Sequence, residues 1–318
     1  ESKSKNDMFV RWGGQWDFLG DWLWPGAKGV NGDTRETLFF NNCYWIYNLK
    51  TAAKIADVLG KKDLAAKYQL RAETVRTAVH KEFFNPAENG YVNNFQAYLA
   101  AALLVGLPPR ELQPAVWKRF EDEIVIHRKG HFWGGITGGY FIVKNLLEFD
   151  RPDLMFLMAS KEDYPGWGDM LRQGATTMWE AWDGRNSLLH SSYLHIGAWF
   201  IEGLGGIMPN PAGPGYKRFI IKPGVLRNKS LDLVKVKFES PYGIIRSEWR
   251  IQNGTLTLNV TVPPNTTATV YLPTRDPQSI KEGNAPLSEA QGLRRLRNEK
   301  GRCVLEIQSG QYAFESNL

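Results

Sequence analysis

The sequence predicts two domains in series, a helical one followed by an antiparallel β domain of the sandwich type. Three observations carry that expectation. The chain's 318 residues, 43% of them hydrophobic, exceed the usual span of a single core. From about residue 34 to residue 207 the apolar positions recur at helical spacing. After Pro209-Asn210-Pro211-Ala212-Gly213-Pro214-Gly215 they alternate instead. The Pro/Gly stretch sets the expected boundary, with residues 1–210 helical and residues 211–318 forming the β domain.

Within the helical part, Ala52, Ala53, Ile55, Ala56, Val58 and Leu59 mark one apolar face, and Leu64, Ala65, Tyr68, Leu70, Ala72 and Val75 mark the next. Breaks fall at Gly60-Lys61-Lys62-Asp63, Asn85-Pro86, Gly106-Leu107-Pro108-Pro109, Lys129-Gly130, Asp150-Arg151-Pro152 and Tyr164-Pro165-Gly166. About seven or eight helices follow from that spacing. In the second part the strand candidates are Phe219–Ile221, Leu231–Phe238, Ile244–Trp249 and Leu256–Val260.

Composition narrows the function classes. A net charge of +6 arises from 39 basic and 33 acidic residues without a long basic run, so no nucleic-acid partner is expected. Cys43 and Cys303 lie far apart, with neither metal-ligand spacing nor a disulfide framework. No apolar run is long enough to span a bilayer, and Glu1-Ser2-Lys3-Ser4-Lys5 is not a signal peptide, so no membrane partner is expected. The compartment stays open, with a secreted or periplasmic address among the candidates. Sequons at Asn228, Asn253, Asn259 and Asn265 carry little weight, because so short a motif recurs by chance. The twelve Trp, most of them before residue 200 and many beside Gly, Asp or Glu, suit sugar binding: a pyranose stacks its apolar face on an aromatic ring while its hydroxyls need polar partners. Core filling accounts for part of the same enrichment.

The segment from Tyr164 to His195 is the richest in chemistry, with Trp167, Asp169, Trp179, Glu180, Trp182, Asp183, His190 and His195. A carboxylate flanked by Trp179 and by Trp182 sits where desolvation tunes its basicity and aromatic walls hold a sugar, as glycoside hydrolysis requires. Glu180 is the leading candidate, against the plainer reading of a helix-surface acid near Thr176-Thr177. Asp183 reads equally well as a cap or turn residue before Gly184. A second segment, Gly13 to Gly26, is a Gly-rich loop carrying Trp16, Trp22, Trp24, Asp17 and Asp21. A third, Gly130 to Gly139, sets five Gly around His131 and Trp133, as if a backbone passes close to a ligand or a helix there. For His131 a structural role is at least as good a reading as substrate contact.

Gly174-Ala175-Thr176-Thr177-Met178-Trp179-Glu180-Ala181-Trp182-Asp183 resembles the GATT-x-WE-x-W-[DE] signature of the α-L-rhamnosidases of glycoside hydrolase family 78. In the family's order, Gly20-Asp21-Trp22-Leu23 resembles its GDWL loop, and Gln96 matches a Gln opening an Ala/Leu-rich helix. His131 to Gly138 is similar to H-x-x-TG-x-x-G, Tyr164 to Gly168 to YP-x-WG, and Ser187-Leu188-Leu189-His190 to S-x-NH. Gly215-Tyr216-Lys217, Pro223 and Ser240-Pro241-Tyr242-Gly243 resemble landmarks of the family's C-terminal sandwich. The likeness spans nearly the whole chain, and its most specific part is GATT-x-WE.

The resemblance implies part of an (α/α)6 helical toroid followed by the β-sandwich, and inverting hydrolysis of terminal α-L-rhamnosides. An acid protonates the leaving oxygen and a second carboxylate activates a water; Glu180 matches that base. Trp22, Asp21, Trp133, Trp179, Trp182 and His190 are the expected substrate-binding residues, with Trp22 lining the pocket, Asp21 supporting its loop and His190 matching a sugar-contacting histidine. No metal and no cofactor are implied, and no loop has an EF-hand spacing. The family's general acid belongs to a D-x-P-x-R-[DN]-E-R…W-x-GD block upstream of GDWL, whereas nineteen residues precede Gly20 here and neither Asp17 nor Asp21 resembles that motif. A partial sequence is therefore expected, whose partners are the missing N-terminal portion of the same protein and a rhamnose-containing glycoside or polysaccharide. Leu189 in place of Asn and Ala181 in place of a basic residue are smaller departures. A different toroid enzyme, glycosidase or polysaccharide lyase, and a non-catalytic rhamnose-binding protein are the alternatives.

Overall fold

A computed structural model describes residues 4–11, 13, 18–27, 34–226 and 230–318. Trp16, Asp17 and Asn228 lie outside the described residues. Two compact units emerge, residues 1–149 with 154–195 and residues 150–153 with 196–318.

The first unit opens with two short paired strands, β1 (Ser4–Lys5) and β2 (Met8–Phe9). The helices α1 (Arg35–Val58) and α2 (Lys62–Phe83) then form an antiparallel hairpin. Thr34 caps α1 by accepting the Thr37 N–H at 3.1 Å. The helix ends in a Schellman turn: Lys61 N–H reaches Ala56 O at 2.8 Å and Gly60 N–H reaches Asp57 O at 3.0 Å. Gly60 adopts the left-handed backbone that this turn requires. The buried faces follow helical spacing, Phe39, Cys43, Ile46, Leu49 and Ala53 on α1 against Ala72, Val75, Val79 and Phe83 on α2. A hairpin of β3 (Phe84–Asn85) and β4 (Gly90–Tyr91) leads to α3 (Gln96–Leu104), whose first eight residues are all buried. There follow α4 (Gln113–Asp122), extended by a π-helical turn at Glu123–His127, then α5 (Ile136–Glu148), α6 (Pro152–Ala159) and α7 (Trp167–Arg172).

The helical reading of residues 34–207 departs from the structure at 173–195, where there is neither helix nor strand. A second Schellman turn stops α7, with Gly174 at φ +88° and the Ala175 N–H on Met170 O at 3.0 Å. Beyond it, side chains compete for the backbone groups, which disfavours a helix.

The second unit begins with a single helical turn, α8 (Ile196–Ala198), and a π-helical turn at Trp199–Leu204. Its strands are β5 (Ile207–Pro209), β6 (Arg218–Ile221), β7 (Leu233–Ser240), β8 (Gly243–Gln252), β9 (Thr255–Val262), β10 (Thr267–Pro273), β11 (Lys281–Glu282), β12 (Ala285–Pro286), β13 (Leu293–Glu299), β14 (Arg302–Ile307) and β15 (Gly310–Asn317). One sheet runs β13-β14-β10-β6-β5 and the other β12-β11-β15-β9-β8-β7. Alternation builds the core between them: Leu256, Leu258, Val260 and Val262 of β9, with Tyr312 and Phe314 of β15, face Val270 and Leu272 of β10 and Val304 of β14. Among the paired strands of the described residues, only β6 and β10 run parallel, because the chain visits β7, β8 and β9 of the other sheet between them, which supplies the long crossover that a parallel pair needs. Cys43 and Cys303 are both buried and free. Among the described residues no helix is long and apolar enough to cross a membrane.

Candidate functional site

Three segments that stand out in the sequence meet in the first unit. The loop at residues 20–27 is tied down along its length. Asp21 accepts the Gly135 N–H at 2.8 Å on Oδ2 and the Gly138 N–H at 2.7 Å on Oδ1. Trp22 O accepts the Ile136 N–H at 2.8 Å, and Leu23 O accepts the Tyr193 hydroxyl at 2.9 Å. Ala27 O accepts Arg185 Nη2. Leu23 is buried with φ +60°, a conformation costly for a residue with a branched side chain, and these neighbours hold it there.

The Gly-rich segment 130–139 owes its composition to this contact. A Cβ on Gly135 would stand 2.0 Å from Trp22 O, and one on Gly138 would stand 2.4 Å from the Asp21 carboxylate. Gln96, fully buried, bridges the same segment by donating from Nε2 to His131 O at 2.8 Å and accepting the Trp133 N–H on Oε1 at 2.9 Å. Both nitrogens of His131 are engaged, Nδ1 with Arg128 O and Nε2 with the Asp163 carboxylate, each at 2.8 Å, which gives it a structural role. Trp133 is half-buried, with the Arg128 guanidinium 4.0 Å from its ring centroid and the same guanidinium 4.6 Å from that of Phe95.

The third segment carries Glu180 on a loop rather than a helix, so the helix-surface alternative does not describe it. The Met178 carbonyl accepts the His190 N–H at 2.8 Å, and the Glu180 N–H donates to Ser187 O at 2.9 Å. Glu180 is half-buried; its Oε2 accepts the Ser187 N–H at 3.1 Å and its Oε1 accepts Asn186 Nδ2 at 3.4 Å. Asp183 is a turn residue, accepting the Arg185 N–H at 3.3 Å. His190 is half-buried, with Nδ1 2.7 Å from the Ser192 hydroxyl. Trp182, 2% exposed, stacks on Tyr193 at 3.9 Å and donates from Nε1 to Gly134 O at 2.8 Å. Trp179 is also buried, against Gly184.

Burial dominates the electrostatics. It pushes the Asp21 carboxyl up to about 7, even though the two backbone N–H groups pull the other way. His195, enclosed by Phe132, Trp167 and Tyr193, is pushed down to about 4 and stays a neutral packing residue at ordinary pH. Among the described residues no group of three or more His, Cys, Asp or Glu is arranged to hold a metal ion.

Of the residues singled out in the sequence, Glu180, Trp22, Trp133 and His190 are half-buried, whereas Asp21, Trp179 and Trp182 are buried. Arg185, Asn186, Tyr193 and Arg128 were not singled out. Each acts through a contact between segments or across a turn, for which a single sequence offers no signal.

Comparison with known proteins gives two family matches. Residues 1–204 match the model of the bacterial alpha-L-rhamnosidase 6 hairpin glycosidase domain, and residues 206–285 match that of the bacterial alpha-L-rhamnosidase C-terminal domain. An alpha-L-rhamnosidase of Formosa agariphila is 33% identical over 309 residues, covering 93% of this chain and 33% of the relative. A solved alpha-L-rhamnosidase from Dictyoglumus thermophilum superimposes with a TM-score of 0.84 at 25% identity, covering 96% of this chain and 34% of that one. The Streptomyces avermitilis alpha-L-rhamnosidase complexed with L-rhamnose shares the fold, with a TM-score of 0.84 at 24% identity over 99% of this chain and 29% of that one. The chain thus spans about a third of the length of the curated relatives it matches.

Proposed function

This chain belongs to the bacterial α-L-rhamnosidase family, and from that membership we propose that it carries the general base of an enzyme that hydrolyses terminal α-L-rhamnosides with inversion. Glu180 is that base. The observation that carries this reading is the setting of its carboxylate: half-buried, held by two donors, on a loop whose flanks bond to the residue 20–27 loop and to the Gly-rich segment. In the reaction a water oxygen bonds to the anomeric carbon as its proton passes to Glu180, while the glycosidic oxygen leaves with a proton from a general acid. By the family's order of motifs, that acid belongs to a segment upstream of residue 1, the expected partner of this chain.

Trp22, Trp133 and His190 are proposed to contact the sugar, because each is half-buried beside the segments that meet here. Asp21, Trp179 and Trp182, buried and bonded or packed against backbone, support them from behind. The chemistry is proposed for the first portion, residues 1–210 by the Pro/Gly boundary at 209–215, and none for residues 211–318; the compact helical unit itself ends at His195, and β5 (Ile207–Pro209) already belongs to a sheet of the second unit. The substrate is a rhamnose-containing glycoside or polysaccharide, and both catalytic roles fall to carboxylic acids.

The test is hydrolysis of p-nitrophenyl α-L-rhamnopyranoside by the full-length enzyme, comparing wild type with Glu180→Gln and following the released anomer by NMR. A loss of about three orders of magnitude in the variant, with β-L-rhamnose as first product from wild type, is expected. A variant with wild-type rate removes Glu180 from the mechanism; an inactive wild type points to another substrate or to a non-catalytic rhamnose-binding role.

A further inference from the structure

The Glu180 carboxylate is held by one turn. The Glu180 N–H on Ser187 O at 2.9 Å closes residues 180–187 into a loop. From inside that loop, the Ser187 N–H meets Oε2 at 3.1 Å and Asn186 Nδ2 meets Oε1 at 3.4 Å. Donors from adjacent residues stand one at each oxygen, the Ser187 N–H within the usual hydrogen-bond range and the Asn186 amide at its outer limit, and together they bias the orientation of the carboxylate. Each oxygen keeps a lone pair for another partner.

The conformation of Asn186 narrows what can stand there. Its φ of +65° lies in the left-handed region, which Gly enters freely and Asn or Asp at modest cost. Of those three, Gly brings no donor and Asp brings a second negative charge beside Glu180. Asn alone combines the backbone with an N–H aimed at the carboxylate. The turn is itself anchored: Arg185 Nη2 donates to Ala27 O, and Arg185 Nε lies 3.3 Å from Asp183 Oδ1. One dipeptide therefore links two parts of the site, Arg185 reaching the end of the loop that carries Trp22 and Asn186 reaching the base.

We propose that Asn186 is a positioning residue for the general base: its side-chain amide orients the Glu180 carboxylate so that a lone pair left free by the turn faces the attacking water, and Arg185 holds that turn to the residue 20–27 loop. The proposal rests on the reading of Glu180 as base. Orientation matters because proton transfer from water has to coincide with attack on the anomeric carbon, and a rotated carboxylate reaches that geometry less often. The amide is a partner that acts on kcat, since it touches the base rather than the sugar.

The test uses the full-length enzyme as wild type, Glu180→Gln, Asn186→Gly and Asn186→Asp, with steady-state kinetics on p-nitrophenyl α-L-rhamnopyranoside and a melting curve for each. Asn186→Gly keeps the left-handed turn and removes only the amide, so it is expected to melt like wild type, hold KM within about twofold and lose about tenfold in kcat. Asn186→Asp keeps shape and backbone but replaces the donor by a carboxylate. It is expected to lose more, with the acid limb of its pH–kcat profile moved upward, because a like charge favours protonated Glu180; Asp183 and Arg185 on the same turn are unchanged in the comparison. If Asn186 served only the turn, Asn186→Gly would keep wild-type kcat and pH profile, and that outcome, with Glu180→Gln inactive, overturns the proposal. A wild-type rate in Glu180→Gln overturns instead the reading on which it rests.

Discussion

The carboxylate of Asp21 closes the start of α5 from outside the helix, with Oδ1 accepting the N–H of Gly138 at 2.7 Å and Oδ2 that of Gly135 at 2.8 Å. A negative group at a helix N-terminus is favourable, and here it also clamps the residue 20–27 loop against the Gly-rich segment. Burial works against it, raising its pKa from 3.8 to about 7.

The clamp makes stability depend on pH in a specific direction. The folded pKa lies above the unfolded one, so between them the folded state holds a proton that the unfolded state has released. The stabilising contribution is complete below about pH 4 and is lost as pH rises through about 7. Asp21→Asn removes the titration and puts an N–H donor against a backbone donor, which costs about 1–3 kcal/mol. Melting the full-length protein from pH 4 to pH 8 is expected to show wild type ahead of Asp21→Asn at low pH, with the gap narrowing toward neutrality. A gap that stays constant with pH contradicts the assignment.

Gly135 tests the close approach. Its Cβ in Gly135→Ala would lie 2.0 Å from Trp22 O, and the backbone cannot retreat without breaking the 2.8 Å bond from Ile136 N–H to that same oxygen. The expected loss is about 3 kcal/mol or more by denaturant titration. Gly197→Ala is the control, because a Cβ there meets nothing within 4 Å. Equal midpoints for the two variants would show that the loop and the segment are not in contact.

In the second unit, Trp249 is 1% exposed and donates from Nε1 to Leu204 O at 2.9 Å. Trp249→Phe keeps much of the ring and leaves that carbonyl without its partner, for an expected loss of about 1–3 kcal/mol. Trp249→Ala adds a cavity, for about 3–5 kcal/mol. Urea titration followed by far-ultraviolet circular dichroism checks both. Variants of equal stability would mean that the indole N–H and the ring volume do not act separately.

Much of the fold was legible from periodicity. The breaks at Gly60, Gly106, Lys129-Gly130 and Asp150-Arg151-Pro152 fall at or beside helix ends, and the alternating run of Leu256 to Val260 lies within β9. These signals are local: a helix stop needs a left-handed residue within a few positions, and a half-buried strand needs alternation along its own length. Glu180 stood out as a candidate for a different reason, since its flanking Trp residues and the GATT-x-WE pattern are contiguous in the chain.

The remainder was decided in three dimensions. The same Trp enrichment that reads as a sugar platform divides in the structure into half-buried Trp22 and Trp133 and buried Trp179 and Trp182, because only packing determines which rings keep a face toward solvent. The irregular path of residues 173–195 combines local bonds, such as Glu180 N–H to Ser187 O, with bonds to partners more than a hundred residues away, such as Tyr193 to Leu23 and Arg185 to Ala27, which no local signal encodes. The order of amino acids thus determined which residues are candidates for the chemistry and where most helices and the first strands of the sandwich lie. The tertiary structure alone decided which carboxylate is buried as a clamp and which is held at an open turn, because a carboxylate's role follows from its solvation and its hydrogen-bond donors, and both come from distant parts of the chain.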